Sequence, residues 1–309
     1  MKFRIGTRGS ALALWQANYV ADRLRSCHAG LETELVIYKT TGDHILDRPL
    51  AEIGGKGLFT KELEEGLDAN EVHCAVHSLK DMPTVLPPGM ILGAIPVRAD
   101  VRDCVVTRLG DETQPALVGT ASLRRAALAH GRWQAAETIP IRGNVQTRLG
   151  RLHDQGDRRV DAVILAMAGL LRLNITQEAD DLDFTPLNPE QWIPAVGQGA
   201  LAIECLASDA KTLELLEPLH DPKTAACVTA ERAFLRAVEG DCRVPVGAFA
   251  TIDRGNLRLR AFVADPNGDE VLVETSFGTE PEALGTSVAK QLLARGGREI
   301  LAKLRQANA

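Results

Sequence analysis

The stretch "VGTASLRRAA" (Val118 to Ala127) sets Arg124 and Arg125 side by side, just after Ser122 and a short apolar run. Two other junctions share this design: "TRGS" puts Arg8 beside Ser10, and "RGNVQTR" brackets Asn144 with Arg142 and Arg148. Ser10, Ser122 and Asn144 are good N-cap residues, each opening a helical pattern. A helix start offers unpaired N–H groups and partial positive charge, so it suits an anion. A guanidinium added there supplies a planar fork that fits a carboxylate or phosphate bidentately. Between Lys80 and Lys211 the chain has no lysine but twelve arginines, although lysine would serve solubility equally well. Coding bias and surface salt bridges explain any single arginine as readily; three such junctions together favour an anion site. Phosphate is the weaker match. There is no G-x-x-x-x-G-K-[ST], and "IGGKGLF" reads as a loop carrying Lys56 rather than a nucleotide cradle. A ligand bearing several carboxylates fits better.

Two further groups could do chemistry. "HCAVHSLKDMP" ends a buried-type strand with Ser78, Lys80 and Asp81 before Pro83. The carboxyl end of a strand in an α/β sheet faces the ligand crevice. There Asp81 can meet a cation or a reacting nitrogen with Lys80 beside it, although an aspartate before Pro83 is also an ordinary turn residue. His77 alternates with the strand and reads as a packed histidine. Of the six cysteines, Cys74, Cys104, Cys205, Cys227 and Cys27 lie in apolar runs or helices and read as small hydrophobes. Cys242 differs, because "EGDCRVPVG" holds it in a glycine-containing turn beside Arg243. A loop thiol next to a cation suits covalent loading, and the neighbouring Asp241 opposes it by favouring the thiol. No C-x-x-C pair occurs, so no metal or redox motif is expected.

The elements that must position these groups alternate. "FRIGT", "ELVIY", "HCAVHS", "ALVGT", "ETIPI" and "VDAVILA" read as strands, with helical patterns from Ser10, through "FTKELEEGLDAN", and from Ser122 and Asn144. That alternation predicts α/β units with parallel sheets. After "PLHDPKT" come one helix, three strand-like runs and a final helix, which predicts a small C-terminal α+β domain. At 309 residues, with 45% hydrophobic and 25% charged, every such domain can bury a core. The net charge of -6 and an aromatic share of only 4% argue against a nucleic-acid or anionic-membrane partner. No apolar run reaches membrane-spanning length and "ALALW" is too short for a signal core, so the expected location is cytoplasmic.

Taken together, "AVHSLKDMP", "VGTASLRR", "RGNVQTRL" and "EGDCRVPVG", with "RIGTRGSALALWQA", "GGKGLFTKELE", "DAVILAMAGLLRL" and "PAVGQGALAIEC", resemble the porphobilinogen deaminase (hydroxymethylbilane synthase) family. The resemblance spans essentially the whole chain. It implies two periplasmic-binding-protein-like α/β domains with a cleft between them, residues 1–96 with 199–218 and residues 97–198, plus a small α+β domain over 219–309. It implies a transferase that joins four porphobilinogen molecules head to tail with loss of ammonia and releases a linear tetrapyrrole. A dipyrromethane cofactor is held by a thioether, matched here by Cys242. Cofactor-binding positions correspond to Arg8, Ser10, Lys80, Asp81, Thr120, Ser122, Arg124, Arg125, Arg142, Gly143 and Arg148. Substrate-binding positions correspond to Arg8, Arg142, Arg148 and Gln198, and Asp81 with Lys80 to the catalytic pair. The implied protein is a cytoplasmic monomer that takes porphobilinogen and needs no metal, nucleic acid or membrane. The alternative is a non-catalytic binder of a small polycarboxylate, which leaves Cys242 and the third domain without a task. The sequence departs from the family where Ala11 replaces a frequent proline, where Asp241 replaces a common glycine, and where "ADVRD" replaces "EDPRD".

Overall fold

The structure, a computed structural model, describes residues 2–44, 57–111, 114–156, 159–238 and 244–307. In chain order the first elements are β1 (Phe3–Arg8), α1 (Ala11–Cys27), β2 (Thr33–Tyr38), α2 (Thr41–His44), α3 (Lys61–Asp68), β3 (Cys74–Ser78) and β4 (Met90–Ala94). Next come β5 (Asp103–Arg108), β6 (Leu117–Gly119), α4 (Leu123–Arg132), β7 (Glu137–Ile139), α5 (Val145–Gly150), β8 (Ala162–Ala166), α6 (Met167–Arg172), α7 (Ile175–Glu178) and β9 (Leu182–Pro186). The chain closes with β10 (Leu201–Leu206), α8 (Ala210–Leu216), α9 (Pro222–Ala237), β11 (Val246–Asp253), β12 (Asn256–Ala264), β13 (Val271–Gly278), α10 (Pro281–Leu292) and α11 (Arg298–Ala307). They form two compact units, one from residues 2–44, 57–99 and 199–226, the other from residues 100–198 and 227–307.

The first unit is built on a sheet of order β2-β1-β3-β10-β4. β1 runs parallel to β2 and β3, whereas β10 is antiparallel to both its neighbours. The sheet is therefore mixed, where strand–helix alternation predicted a parallel one. The reason is topological: β10 enters after a long excursion of the chain rather than through a short crossover helix, and only such crossovers demand parallel pairing. The two central strands, "CAVHS" and "LAIECL", are buried along nearly their whole length. On one face Ile5, Val76 and Ile203 pack against Ala17, Val20 and Leu24 of α1. On the other, Ala75 packs against Leu63 and Leu67 of α3.

The second unit carries a sheet of order β7-β6-β8-β5-β9, again mixed, with β5 antiparallel to β8 and β9. It also carries a three-stranded antiparallel sheet, β11-β12-β13, which is the small C-terminal domain anticipated from the sequence. Among the described residues no helix is long and apolar enough to cross a membrane. α10 lies across β12 and β13 and meets α9 at Gly285, where a Cβ would stand 2.2 Å from the Ala230 carbonyl oxygen and 2.7 Å from the Phe234 nitrogen. Only a residue without a side chain lets the two backbones come that close. Gly285→Ala should therefore cost about 1–3 kcal/mol of stability through overpacking. Urea unfolding checks this, and an unchanged midpoint would mean that the helices part without penalty.

Candidate functional site

All three helix starts are capped as the sequence predicts. Ser10 Oγ accepts from the Ala13 N–H at 3.3 Å, Ser122 Oγ from the Arg125 N–H at 3.4 Å, and Asn144 Oδ1 from the Thr147 N–H at 2.8 Å. What stands beside each cap differs between the two units.

In the first unit Arg8 closes β1, with its guanidinium carbon 4.2 Å from the centre of the Phe59 ring, within the range of a cation–π contact. β3 ends at Ser78, whose hydroxyl accepts a 2.8 Å hydrogen bond from the buried Gln16 of α1. The Leu79 N–H donates to the Ala200 carbonyl, and Leu79–Asp81 form a single 3-10 turn. These bonds fix the strand end, leaving Lys80 half-buried and Asp81 exposed. An aspartate held out in this way can meet a cationic ligand without first breaking a packed core.

In the second unit Arg142 and Arg148 flank the start of α5, both half-buried. Arg148 Nε donates to the Gly143 carbonyl at 2.9 Å, and Gly143 itself adopts φ +102°, where an added Cβ would meet Thr147 at 2.7 Å. The glycine is thus required by backbone and by space. Thr120 is buried, and its hydroxyl accepts from the Ser122 N–H at 3.2 Å, shaping the turn into α4.

Arg124 and Arg125 turn inward, only 4% and 6% exposed, and share the fully buried Asp103. Asp103 Oδ2 accepts from Arg124 Nη2 at 2.7 Å and from Trp192 Nε1 at 2.8 Å. Its Oδ1 accepts from Arg125 Nη2 at 2.7 Å and from Gln198 Nε2 at 2.9 Å. Each guanidinium also reaches backbone: Arg124 Nη1 donates to the Ile193 carbonyl and Arg125 Nη1 to the Ile164 carbonyl. Burial pushes the Asp103 carboxyl up, but the two adjacent guanidinium charges and their hydrogen bonds outweigh it and hold the group far below the usual carboxylate range. Burial lowers Arg124, with Asp103 opposing that shift. Arg124 Nε has no hydrogen-bond partner among the described residues. With two arginines on one carboxylate, this trio keeps one positive charge inside the unit.

The sequence reading did not single out Asp103. Its signal was present, since an acidic residue opening the apolar strand "DCVVTR" must find a cation, and "SLRR" was the nearest unexplained pair. Cys242, Gly240, Asp241, Arg243 and Lys56 lie outside the described residues.

Fold and donor set define an α/β protein whose helix starts carry clustered cationic hydrogen-bond donors. The comparisons with known proteins make the class specific. Residues 3–214 match the family described as "Porphobilinogen deaminase, dipyromethane cofactor binding domain", and residues 225–294 match "Porphobilinogen deaminase, C-terminal domain". The chain is 46% identical over 307 residues to the porphobilinogen deaminase of Syntrophotalea carbinolica, covering 97% of this chain and 95% of that one. It is 45% identical over 312 residues to that of Brevibacillus brevis, covering 99% of each. Among solved structures, the substrate binding domain of a putative molybdenum ABC transporter from Clostridium difficile aligns with a TM-score of 0.41 and 7% identity, over 72% of this chain and 93% of that one. The chain belongs to the porphobilinogen deaminase family.

A depressed carboxyl contributes stability that is complete above its unfolded value, near pH 4, and is lost as pH falls toward the folded value. Asp103→Asn should therefore cost about 3–5 kcal/mol at pH 7, because it leaves two buried arginines under-compensated. The gap to the native protein should narrow below about pH 4. Urea titrations at pH 7 and pH 3 measure both, and equal stability at pH 7 would remove Asp103 from its central place.

Proposed function

We propose that the chain is a transferase of tetrapyrrole biosynthesis that joins four porphobilinogen molecules head to tail, losing ammonia each time, and releases linear hydroxymethylbilane by hydrolysis. The observation that carries this reading beyond family membership is the donor set. Each pyrrole of the substrate bears an acetate and a propionate, so a growing chain is a polycarboxylate, and the described groups suited to it are anion donors. Arg142 and Arg148 stand half-buried at a capped helix start, Thr120 and Ser122 shape the turn into α4, and the Asp103 trio holds uncompensated positive charge. The same set fits dipyrromethane, which carries the same carboxylates, and Arg124 Nε is a donor without a described partner.

In this reading Cys242 would hold the dipyrromethane by a thioether, and that group would supply the nucleophilic pyrrole carbon for the first unit, each later unit joining the terminal ring of the growing chain. Arg8, Ser10 and Lys80 in the first unit, and Thr120, Ser122, Arg124, Arg125, Arg142, Gly143 and Arg148 in the second, hold carboxylates. Gln198, tied to Asp103, sets the substrate-binding turn. Holding the rings in reacting geometry is worth several kcal/mol of barrier. Asp81 faces the charge that develops as porphobilinogen loses its amine. Its carboxylate stabilises the positive pyrrole nitrogen electrostatically and takes part in moving the proton that leaves afterwards. Lys80 beside it binds a side-chain carboxylate and keeps the local charge balanced. The protein works as a cytoplasmic monomer on a small molecule, without nucleic acid or membrane. A non-catalytic polycarboxylate binder is not supported, because it leaves the cofactor-binding domain of the family without a role.

Intact mass under denaturing conditions, with a peptide map, tests the attachment. Native protein should carry the mass of two linked pyrroles on the Cys242 peptide, and Cys242→Ala should fold without it. Chromophore remaining on that variant would require another attachment site. Asp81→Asn should keep the added mass while turnover falls by about 10²-fold or more, since an electrostatic stabiliser is lost rather than a binding group. Near-native turnover would remove Asp81 from the chemistry.

A further inference from the structure

The first unit buries a charge pair that the reading above does not use. Ala202 faces His77 and Glu204 faces Ala75 across β10 and β3, so His77 and Glu204 are diagonal neighbours on one side of the sheet. His77 Nε2 lies 3.2 Å from Glu204 Oε2, with the side chains 5% and 0% exposed. Neither Glu204 oxygen has a hydrogen-bond partner among the described residues. A buried carboxylate in that condition has the imidazole as its one close polar neighbour among the described side chains.

The pair stands among functional neighbours. α3 packs on this side of the sheet through Leu63 and Leu67 and brings Glu64 near it. Burial pushes the Glu64 carboxyl up; the Thr60 hydroxyl draws it down, Glu204 and Asp68 add to the rise, and His77 opposes them. β4 sets Leu92 opposite Glu204. On β1, Gly6 is level with Ala75, two residues before Arg8 on its strand and two before His77 on the other. β3 runs from His77 directly into the Lys80–Asp81 turn.

Buried ion pairs add little net stability over apolar residues of the same volume, so cohesion alone does not explain this one. We propose that His77 and Glu204 are positioning residues for the reaction: their pair locks β3 to β10 beneath the Lys80–Asp81 turn and sets the level at which Arg8 stands. The inference rests on the roles given above to Arg8, Lys80 and Asp81.

The test uses holoprotein and porphobilinogen. His77→Gln and Glu204→Gln should each lower Tm. The double variant His77→Phe/Glu204→Leu should regain native Tm and keep its pyrrole mass, because it removes both charges and fills the space. Its kcat should nevertheless fall about tenfold or more through misplacement of the turn, with KM for porphobilinogen little changed. Native kcat in the double variant would overturn the inference, as would failure to regain Tm, which makes the pair purely structural. Asp81→Asn is measured beside it. Loss of turnover there with a fully active double variant rejects this inference alone, whereas an active Asp81→Asn rejects the site reading on which it stands.

Discussion

A single carboxylate, that of Asp103, organises the second unit. It opens β5, lies fully buried, and is engaged by Arg124, Arg125, Trp192 and Gln198. The two arginines extend the reach of that one group, to Ile193 in the turn before Gln198 and to Ile164 in β8. Helix α4, strands β5 and β8, and the 192–198 turn are therefore registered on one acid. A buried charge is tolerable only when its hydrogen bonds are satisfied, and here the requirement itself dictates where each element must stop.

The first unit solves a similar problem with less. His77 and Glu204 meet across two central strands with no further described hydrogen bonds, under a helix that brings Glu64 alongside. Asp103 has an excess of donors, whereas Glu204 has a deficit. The excess leaves positive charge for an anion. The deficit makes the Glu204 site dependent on its one imidazole neighbour. Asp103 opens its strand, whereas Glu204 lies within the span of β10.

Much of this was legible in the chain. Ser10, Ser122 and Asn144 could be read as caps because their hydrogen bonds are local, within three residues along the chain. The buried strands "CAVHS" and "LAIECL" could be read from their unbroken apolar character, and the C-terminal sheet from its three strand-like runs. Strand direction could not, because β10 pairs with β3 after more than a hundred intervening residues and nothing local records that. The same distance hid the fate of Arg124 and Arg125. Their spacing marked them as a cationic pair at a helix start, but their partner Asp103 is fixed by tertiary packing. His77 was legible as a packed histidine, yet its partner Glu204 comes from the far strand.

The acidic balance of the whole chain and the arginines at its helix starts answer one constraint. A cluster of cations fully neutralised by internal acids would have no attraction left for a polycarboxylate. A cluster with no internal acid could not be buried, since each guanidinium would lose its hydration without return. Two arginines on one aspartate stand between these limits. The internal carboxylate fixes their geometry before any ligand arrives, and the residual charge remains to be met from outside. Preorganised charge of this kind needs no rearrangement when a carboxylate binds, which is the condition for holding a lengthening chain of them in register. Asp81, in the other unit, stays exposed beside a strand end that is fixed through Ser78 and Leu79, so its carboxylate is not consumed by a buried cation.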